Sequence, residues 1–245
     1  MKRAIWLVVV GLLLIGLAVP GCSKASDELT VATDATWPPF EYVNTTTNAI
    51  EGFDIDVMKA IAAEAGLEVQ FVNVAWDPLL TGMAQGTYDM AISSITISEP
   101  RKKEMLFSDP YFAAGQVVVV RVDESTVTGP DNLAGLVGAQ LGTTGAFEIE
   151  KRPAATIKTY DDIGFAFQDL MNGQIVAVVC DNPVGLNYVA ENPTKLKIVG
   201  DVFTDEFYGI AVAKRNANLI PNINKAIASL EAKGTFDQIA DKWLK

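Results

Sequence analysis

The sequence predicts an α/β protein with two lobes, in which each lobe is a mostly parallel sheet flanked by helices. Three observations carry this prediction. Short apolar runs alternate with segments of helical periodicity along most of the chain, a pattern typical of parallel sheets covered by helices. The alternation begins again near residue 135, which indicates a second lobe. The length of 245 residues and the apolar fraction of 49% suit a large folded core.

The first half of the alternation contains one well-marked helix. Ile55, Met58 and Ala62 share one face of this helix, which Asp54 is predicted to cap and Gly66 to end. The other elements of this half are predicted as strands at 28–33, 68–74, 88–93 and 115–122 and as helices at 76–86 and 98–105. This half therefore supplies enough strands for one sheet.

The second half repeats the alternation without a sequence repeat of fixed period. Its elements are predicted as strands at 135–140, 174–180, 196–200 and 207–214 and as helices at 143–151, 160–173, 182–192, 221–234 and 235–245. In open α/β sheets, ligands bind beyond the carboxyl ends of the strands. The polar residues that follow these strands are therefore the candidates for a binding site.

The N-terminal segment is predicted to lie outside the fold. A basic start, Met1–Arg3, precedes an unbroken apolar run at 5–19, which is shorter than the roughly 20 residues of a membrane span. This layout predicts a signal peptide over residues 1–21. The segment AVPGC resembles a bacterial lipoprotein cleavage site, at which Cys22 would carry the lipid and residues 22–27 would form a tether. An ordinary signal peptide with an incidental cysteine is the alternative. Either way the chain is expected outside the cytoplasm, in the periplasm or on the outer face of the cytoplasmic membrane.

Composition excludes several classes of function. The chain has no histidine, which rules out serine–histidine–aspartate triads and imidazole metal ligands. The net charge of −11 opposes binding to nucleic acid. If Cys22 carries a lipid, Cys180 has no partner in the chain, so no disulfide is expected. We predict no cofactor and no metal site.

The end of the strand at 88–93 carries the first candidate site residues. Ser94 and Thr96 follow this strand, and Arg101 falls in the first turn of the next short helix. Helix N-terminal N–H groups favour an anion, and arginine matches a carboxylate with two parallel hydrogen bonds. The stretch therefore predicts a carboxylate receptor, with a solvated helix start as the alternative.

Two further strand ends carry polar residues. Gln140 ends one strand and Thr144 lies at the start of the next helix, where backbone N–H groups and hydroxyls are available to a ligand. Asp181 follows the buried strand at 174–180 and suits an ammonium group. Simple helix caps are the alternative explanation for both strand ends.

An acid and two tryptophans complete the candidate set. Asp34 and Trp37 follow the first strand, and Trp76 precedes a helix. Aromatic side chains can wall a pocket, although a lone tryptophan is more often part of the core. The cation Arg101 and the anion Asp181 match the carboxylate and the ammonium group of a free amino acid. Because a cleft desolvates both ligand charges, each needs a partner, and the set predicts an amino-acid site.

Seven segments occur in order along the chain: ATDATWPPFEY, GFDIDVMKAIA, YDMAISSITISEPRKKEMLFSDPYF, QLGTTG, VVCDNP, YGIAVAK and GTFDQIADKW. On the basis of these segments, the chain from about residue 28 resembles the amino-acid-binding proteins of bacterial ABC importers. This family is solute-binding protein family 3, and the resemblance is to its glutamine, arginine or histidine type. The resemblance implies a periplasmic-binding-protein fold, in which two hinge strands join the lobes and a bound ligand closes them. The expected hinges lie near 115–121 and 207–213, and the expected lobes are 28–116 plus 211–245 and 117–210.

The resemblance also implies a role for each candidate residue. Arg101 would bind the α-carboxylate, with help from Thr96 and Thr144. Asp181 would bind the α-ammonium group, with help from Ser94 and Thr96. The ligand side chain would contact three residues, Asp34, Trp37 and Trp76, with Gln140 nearby.

The chain departs from the family pattern at two positions. Val176 stands where the family often has an acid. Cys180 stands where family members vary, and it is a candidate contact to the ligand side chain. Neither departure affects the predicted site for the two charged groups of an amino acid.

The expected function is non-enzymatic. The chain would bind a polar L-amino acid, glutamine or arginine, and deliver it as a monomer to the permease of an ABC transporter, without nucleic acid as a partner. A lipid on Cys22 would attach it to the membrane. The alternatives are a dehydratase acting on prephenate or arogenate, which is similar to this family in fold, and a ligand-sensing partner of a receptor.

Overall fold

Two five-stranded sheets organise the chain in the computed structural model, which describes residues 28–244. The predicted signal peptide, Cys22 and the tether lie outside the described residues. The strands are β1 (Leu29–Thr33), β2 (Thr36–Trp37), β3 (Glu41–Val43), β4 (Ile50–Glu51), β5 (Val69–Asn73), β6 (Met90–Ala91), β7 (Leu106–Phe107), β8 (Phe112–Ala114), β9 (Gln116–Arg121), β10 (Gly135–Gln140), β11 (Ala155–Tyr160), β12 (Ala177–Asp181), β13 (Leu196–Val199), β14 (Glu206–Tyr208) and β15 (Ala211–Val212).

Eight α-helices flank these sheets in the described part of the chain. They are α1 (Phe53–Ala65), α2 (Trp76–Gln85), α3 (Glu99–Glu104), α4 (Thr144–Glu150), α5 (Ile163–Met171), α6 (Asn182–Glu191), α7 (Ile220–Ala232) and α8 (Thr235–Trp243). Two 3₁₀ helices lie at Pro130–Asn132 and Lys214–Leu219. None of the helices between residues 28 and 244 combines the length and the apolar character that a membrane span needs.

Both sheets are mixed. The first has the order β5-β1-β6-β15-β7, with β5, β1 and β6 parallel and β15 antiparallel to both of its neighbours. The second has the order β11-β10-β12-β9-β13, with β11, β10 and β12 parallel and β9 antiparallel to both of its neighbours. Strand β9 is the first strand of the second sheet after the chain leaves the first sheet, and β15 is the first strand of the first sheet after the chain returns. The predicted parallel pairing therefore holds within each βα run and reverses at the crossings.

A two-stranded sheet marks the place where the chain passes between the two larger sheets. In it, β8 pairs with β14 in antiparallel register, with Glu206 opposite Ala114 and Tyr208 opposite Phe112. Strand β8 ends directly before the expected hinge near 115–121, and β14 overlaps the start of the expected hinge near 207–213. The first large sheet takes its strands from 29–107 and 211–212, and the second takes its strands from 116–199. The boundaries of the lobes themselves stay a prediction.

Helix α1 shows how the core holds the first sheet. Phe53, Met58 and Ile61 on its inner face are fully buried or nearly so, in a cluster that also includes Ile223 and Ile227 of α7. Burial of each such side chain stabilises the fold by roughly 1.5–3 kcal/mol. A second apolar cluster packs against the other sheet and includes Val118, Val120, Val137, Ile149 and Val179.

The predicted cap of α1 is wrong. Gly52, not Asp54, occupies the N-cap position, with a φ of 138°, and a Cβ there would lie 2.1 Å from the Phe40 carbonyl oxygen. Asp54 lies inside the first turn and is fully buried. One oxygen of its carboxylate accepts hydrogen bonds from the Ser94 N–H at 2.6 Å and from the Tyr111 hydroxyl at 2.8 Å. Asp54 therefore fixes the loop after β6 rather than the start of its own helix.

Candidate functional site

A cavity with about 320 Å³ of space between protein atoms, part of it open to solvent, lies between the two large sheets, at the carboxyl ends of their parallel strands. All nine residues predicted for ligand binding line it: Asp34, Trp37, Trp76, Ser94, Thr96, Arg101, Gln140, Thr144 and Asp181. Three residues that the sequence did not single out line it as well: Glu41, Ser93 and Thr143. The structure therefore brings the predicted residues together, and their individual roles toward a ligand stay predictions.

Arg101 is held by contacts from both sides of the cavity. Its Nη1 donates to the Thr96 carbonyl at 2.9 Å, and its Nη2 donates to the Gly142 carbonyl at 3.2 Å. The guanidinium carbon lies 5.1 Å from the centre of the Trp76 ring. Partial loss of water lowers the pKa of Arg101, while the negative charges of Asp181 and Glu206 act in the opposite direction. Because a guanidinium has five N–H donors, these two bonds leave donors for an anion.

The loop that carries Ser93 and Ser94 has an unusual backbone. Ser94 has a φ of 48°, in the left-handed region that residues other than glycine rarely adopt. The bond from its N–H to Asp54 offsets this cost. Ser93 Oγ accepts from the Asp34 N–H at 2.9 Å and donates to the Glu41 carboxylate at 2.8 Å. The loop is therefore tied to two acids that face the same cavity.

Asp181 enters the cavity from the second sheet. It precedes α6, but its side chain makes no capping hydrogen bond, so a simple capping role does not account for it. Its carboxylate instead accepts hydrogen bonds from Gln116 Nε2 and from the Tyr208 hydroxyl. Burial raises the pKa of Asp181 to about 7, the charge of Glu206 adds to this rise, and the two hydrogen bonds oppose it.

Glu206 connects the two sides of the cavity, and sequence reasoning missed it. Its Oε2 accepts from the Thr96 hydroxyl at 2.7 Å and from the Thr144 hydroxyl at 2.8 Å, while its Oε1 accepts from the Thr204 hydroxyl at 2.9 Å. Thr96 follows a strand of the first sheet, and Thr144 begins a helix of the second. The only signal in the sequence was an acid three residues before Gly209, at the expected hinge.

A second group of polar residues lines the cavity around Asp34. The Asp34 carboxylate accepts from Gln140 Nε2 at 3.0 Å and from the Thr36 hydroxyl at 2.9 Å, and burial raises its pKa. Glu41 is fully buried, and burial together with the charge of Asp54 raises its pKa well above the ordinary value.

Several polar atoms around Asp34 have no hydrogen-bond partner among the described residues. They are Glu41 Oε2, Trp37 Nε1 and Trp76 Nε1. A buried polar atom without a hydrogen-bond partner destabilises the fold. These atoms therefore mark positions where a ligand atom could supply the missing hydrogen bond. We call Asp34, Trp37, Glu41, Trp76 and Gln140 the acidic region, and Thr96, Arg101, Thr144 and Asp181 the charge-pair region.

Cys180 lies in the core rather than at the cavity. Its side chain is 2% exposed, belongs to the apolar cluster that includes Val117 and Val184, and forms no disulfide among the described residues. Cys180, a candidate contact to the ligand side chain, therefore does not line the cavity, because alternate residues of a strand face opposite sides of the sheet. Its neighbour Asp181 is the residue that lines the cavity.

The described residues contain no group of acids or cysteine placed to hold a metal ion.

Comparison with known proteins gives a consistent result. The family model for bacterial extracellular solute-binding proteins, family 3, matches residues 29–245. The ABC transporter arginine-binding protein 1 of Escherichia coli (strain K12) is 34% identical over 227 residues, which cover 90% of this chain and 92% of that protein.

Two solved structures are similar over nearly the whole fold. An ancestral arginine-binding protein bound to glutamine is 42% identical, with a TM-score of 0.82, and the match covers 88% of this chain and 97% of that one. An ancestral amino-acid-binding protein described as a precursor of cyclohexadienyl dehydratase is 34% identical, with a TM-score of 0.81, and the match covers 89% of this chain and 96% of that one. The expected two-lobed periplasmic-binding-protein fold is therefore confirmed, and the chain belongs to the bacterial extracellular solute-binding proteins, family 3.

Proposed function

We propose that this chain binds one polar L-amino acid, arginine above glutamine, between its lobes and delivers it to the membrane permease of an ABC importer. The observation that carries the proposal is the presence of one cation and one anion, Arg101 and Asp181, on opposite sides of a single cavity. The membership of the family and the arginine-binding relative support the same class of ligand.

The charge-pair region suits the part that all amino acids share. A closed cavity removes water from the ligand's carboxylate and ammonium groups, and each then needs an opposite charge. Arg101 has free donors for the carboxylate, and Asp181 supplies the charge for the ammonium group. Because the two residues come from different sheets, a ligand that binds both stabilises the closed arrangement of the lobes.

The acidic region favours a cationic side chain over an amide. Asp34 and Glu41 line the cavity, and Arg101 is the sole Lys or Arg residue that lines it within residues 28–244. A ligand guanidinium would offset the acidic charge and donate to the open oxygen of Glu41. Trp37 offers its ring to a cation, whereas the Trp76 ring already lies beside Arg101.

Isothermal titration of the purified protein with each of the twenty common L-amino acids tests this proposal. We expect the tightest binding for L-arginine, weaker binding for L-glutamine, and no measurable binding for aliphatic amino acids. Tightest binding of an aliphatic amino acid would contradict the assignment of the acidic region. Mass spectrometry of molecules that co-purify with the protein gives an independent check.

Binding without catalysis is part of the proposal. One observation favours the dehydratase alternative: burial keeps Glu41 protonated more readily than an ordinary acid, and such chemistry needs a proton donor for a leaving hydroxyl. Prephenate, however, carries two carboxylates and no ammonium group, so Asp34 and Asp181 would disfavour it. Incubation with prephenate should give no phenylpyruvate, and turnover would overturn the non-enzymatic assignment.

Attachment to the membrane through a lipid on Cys22 completes the proposal. A single acyl chain anchors only weakly, so firm attachment needs more than one chain. The intact mass of protein extracted from membranes tests this point. A lipoprotein would lack residues 1–21, which are cleaved off, and would carry the added mass of the acyl chains on Cys22. The proposal also takes the protein as a monomer, which light scattering with and without L-arginine checks. An unmodified Cys22 would leave an ordinary signal peptide as the explanation.

A further inference from the structure

Glu206 contacts two residues that line the cavity, Thr96 and Thr144. It lies in β14 of the two-stranded sheet that joins the lobes, and it is 8% exposed. Its carboxylate accepts three threonine hydroxyls, two of them, from Thr96 and Thr144, on the same oxygen. A carboxylate oxygen that accepts two short hydrogen bonds fixes the direction of both hydroxyl protons.

The direction of these protons decides what the threonines offer to a ligand. A hydroxyl has one proton and two acceptor lone pairs. Since Thr96 and Thr144 both donate to Glu206, neither hydroxyl has a proton left for the ligand's carboxylate. The Thr96 oxygen keeps its lone pairs. The Thr144 oxygen already accepts from Gln116 Nε2 at 3.1 Å and keeps one, so each oxygen can still accept a hydrogen bond from an ammonium group. For Thr144 this differs from the role that the family resemblance implied, which was help with the carboxylate. For Thr96 it selects one of the two implied roles, help with the ammonium group.

The negative charge of Glu206 also favours an ammonium group near Thr96 and Thr144. Glu206 interacts electrostatically with both Arg101 and Asp181, so its carboxylate lies close to the charge-pair region. A second negative charge beside Asp181 favours a cation there and disfavours an uncharged group.

We propose that Glu206 is a positioning residue. By accepting the protons of the Thr96 and Thr144 hydroxyls, it orients both hydroxyl oxygens to accept hydrogen bonds from the ammonium group of the ligand. The inference rests on the proposed amino-acid-binding function and adds a specificity element to it. Selection for a free α-amino group is thereby shared among Asp181, Glu206 and two threonines.

The test uses two ligands that differ only in the group concerned. L-arginine has the α-ammonium group, and 5-guanidinopentanoate is arginine without it. Both keep the carboxylate and the guanidinium. The dissociation constants of both ligands are measured by isothermal titration for the wild type and for the variants Thr96→Val, Thr144→Val and Glu206→Gln. Thermal unfolding of each variant confirms that it is folded.

The valine variants separate the two possible roles of the hydroxyls without any change in charge. If the hydroxyls accept from the ammonium group, each valine variant loses about tenfold to a hundredfold in affinity for L-arginine and almost nothing for 5-guanidinopentanoate. If they donate to the carboxylate, both ligands lose affinity equally, and this result would overturn the inference.

Glu206→Gln tests the orienting role itself. The amide donates a proton to one of the threonine oxygens and so removes an acceptor, and L-arginine should again lose about tenfold or more in affinity while the analogue changes little. In this background, Thr144→Val should cost less affinity for L-arginine than in the wild type, because the hydroxyl is no longer oriented. Fully additive losses would contradict the positioning role. Asp205→Asn, which removes an exposed neighbouring carboxylate, is the matched control and should leave both affinities unchanged.

The outcomes also distinguish this inference from the proposed function. A wild-type protein that binds no L-arginine overturns the proposed function, and the inference with it. A wild-type protein that binds L-arginine, with variants that weaken both ligands equally, overturns only the inference.

Discussion

The charge-pair region and the acidic region of the cavity are built differently. In the charge-pair region, hydrogen bonds from the protein already hold both charged residues: Arg101 donates to two backbone carbonyls, and Asp181 accepts from Gln116 and Tyr208. In the acidic region, Glu41 keeps one oxygen without a partner, and the N–H groups of Trp37 and Trp76 have none among the described residues.

This difference separates two tasks of a binding site. A fixed geometry suits the carboxylate and ammonium groups, which every amino acid carries in the same arrangement. Open hydrogen-bonding atoms suit the side chain, since they gain a partner only from a ligand of matching shape and charge. We therefore expect the first region to account for affinity toward amino acids in general, and the second to account for the choice among them.

The largest expected effect comes from loss of the cation in the charge-pair region. Arg101→Ala leaves a ligand carboxylate in the cavity without an opposite charge, and we expect this to weaken binding by about 2 to 5 kcal/mol. Every amino acid that binds should be affected by a similar factor, because all share the carboxylate. Lys102→Ala, which alters an exposed neighbour in α3, is the control. Isothermal titration measures both, and full affinity in Arg101→Ala would refute the role of the charge-pair region.

An intermediate and selective effect is expected from the acidic region. Glu41→Gln removes an acid whose pKa burial raises, but whose ionised form a bound guanidinium would favour through its open oxygen. We expect about a tenfold loss for L-arginine. L-glutamine should lose much less, because an amide side chain hydrogen-bonds to either residue. Glu51→Gln, outside the cavity, is the control. Equal losses for the two ligands in Glu41→Gln would mean that the acidic region does not select the side chain.

The smallest expected effect is a dependence of binding on pH. The pKa of Asp181 is raised to about 7, and only the ionised carboxylate attracts an ammonium group. The affinity for L-arginine should therefore level off about one pH unit above this pKa, be about half-maximal near it, and fall below it by at most about tenfold per pH unit. The analogue without the ammonium group should show a weaker dependence. Titrations between pH 5.5 and pH 8.5 measure it, and an affinity that rises as the pH falls would contradict the assignment of Asp181.

Residues at strand ends could be predicted from the sequence, because their positions follow from local periodicity. Arg101 and Asp181 were found in this way, and both line the cavity. Residues that act through long-range contacts could not. Glu206 and Thr96 lie 110 positions apart, and Asp54 and Ser94 lie 40 apart, so no local pattern joins them.

The same limit applies to the fold. Alternation of strands and helices predicted the parallel part of each sheet correctly. It did not predict that β9 and β15 join their sheets antiparallel, since direction at a crossing depends on where the chain returns. Asp54 was misassigned as a cap for a related reason. Its position at a helix start is a local signal, whereas its burial against Ser94 and Tyr111 is a property of the assembled core.

A crystal structure of the protein with L-arginine tests the central claim most directly. The claim is that Arg101 and Asp181, from opposite sides of the cavity, bind the two charged groups of one amino acid. We expect the ligand carboxylate within hydrogen-bonding distance of the Arg101 guanidinium and the ligand ammonium group within the same distance of the Asp181 carboxylate. A bound ligand that leaves either residue facing solvent, or that places its guanidinium at Asp181, would contradict it.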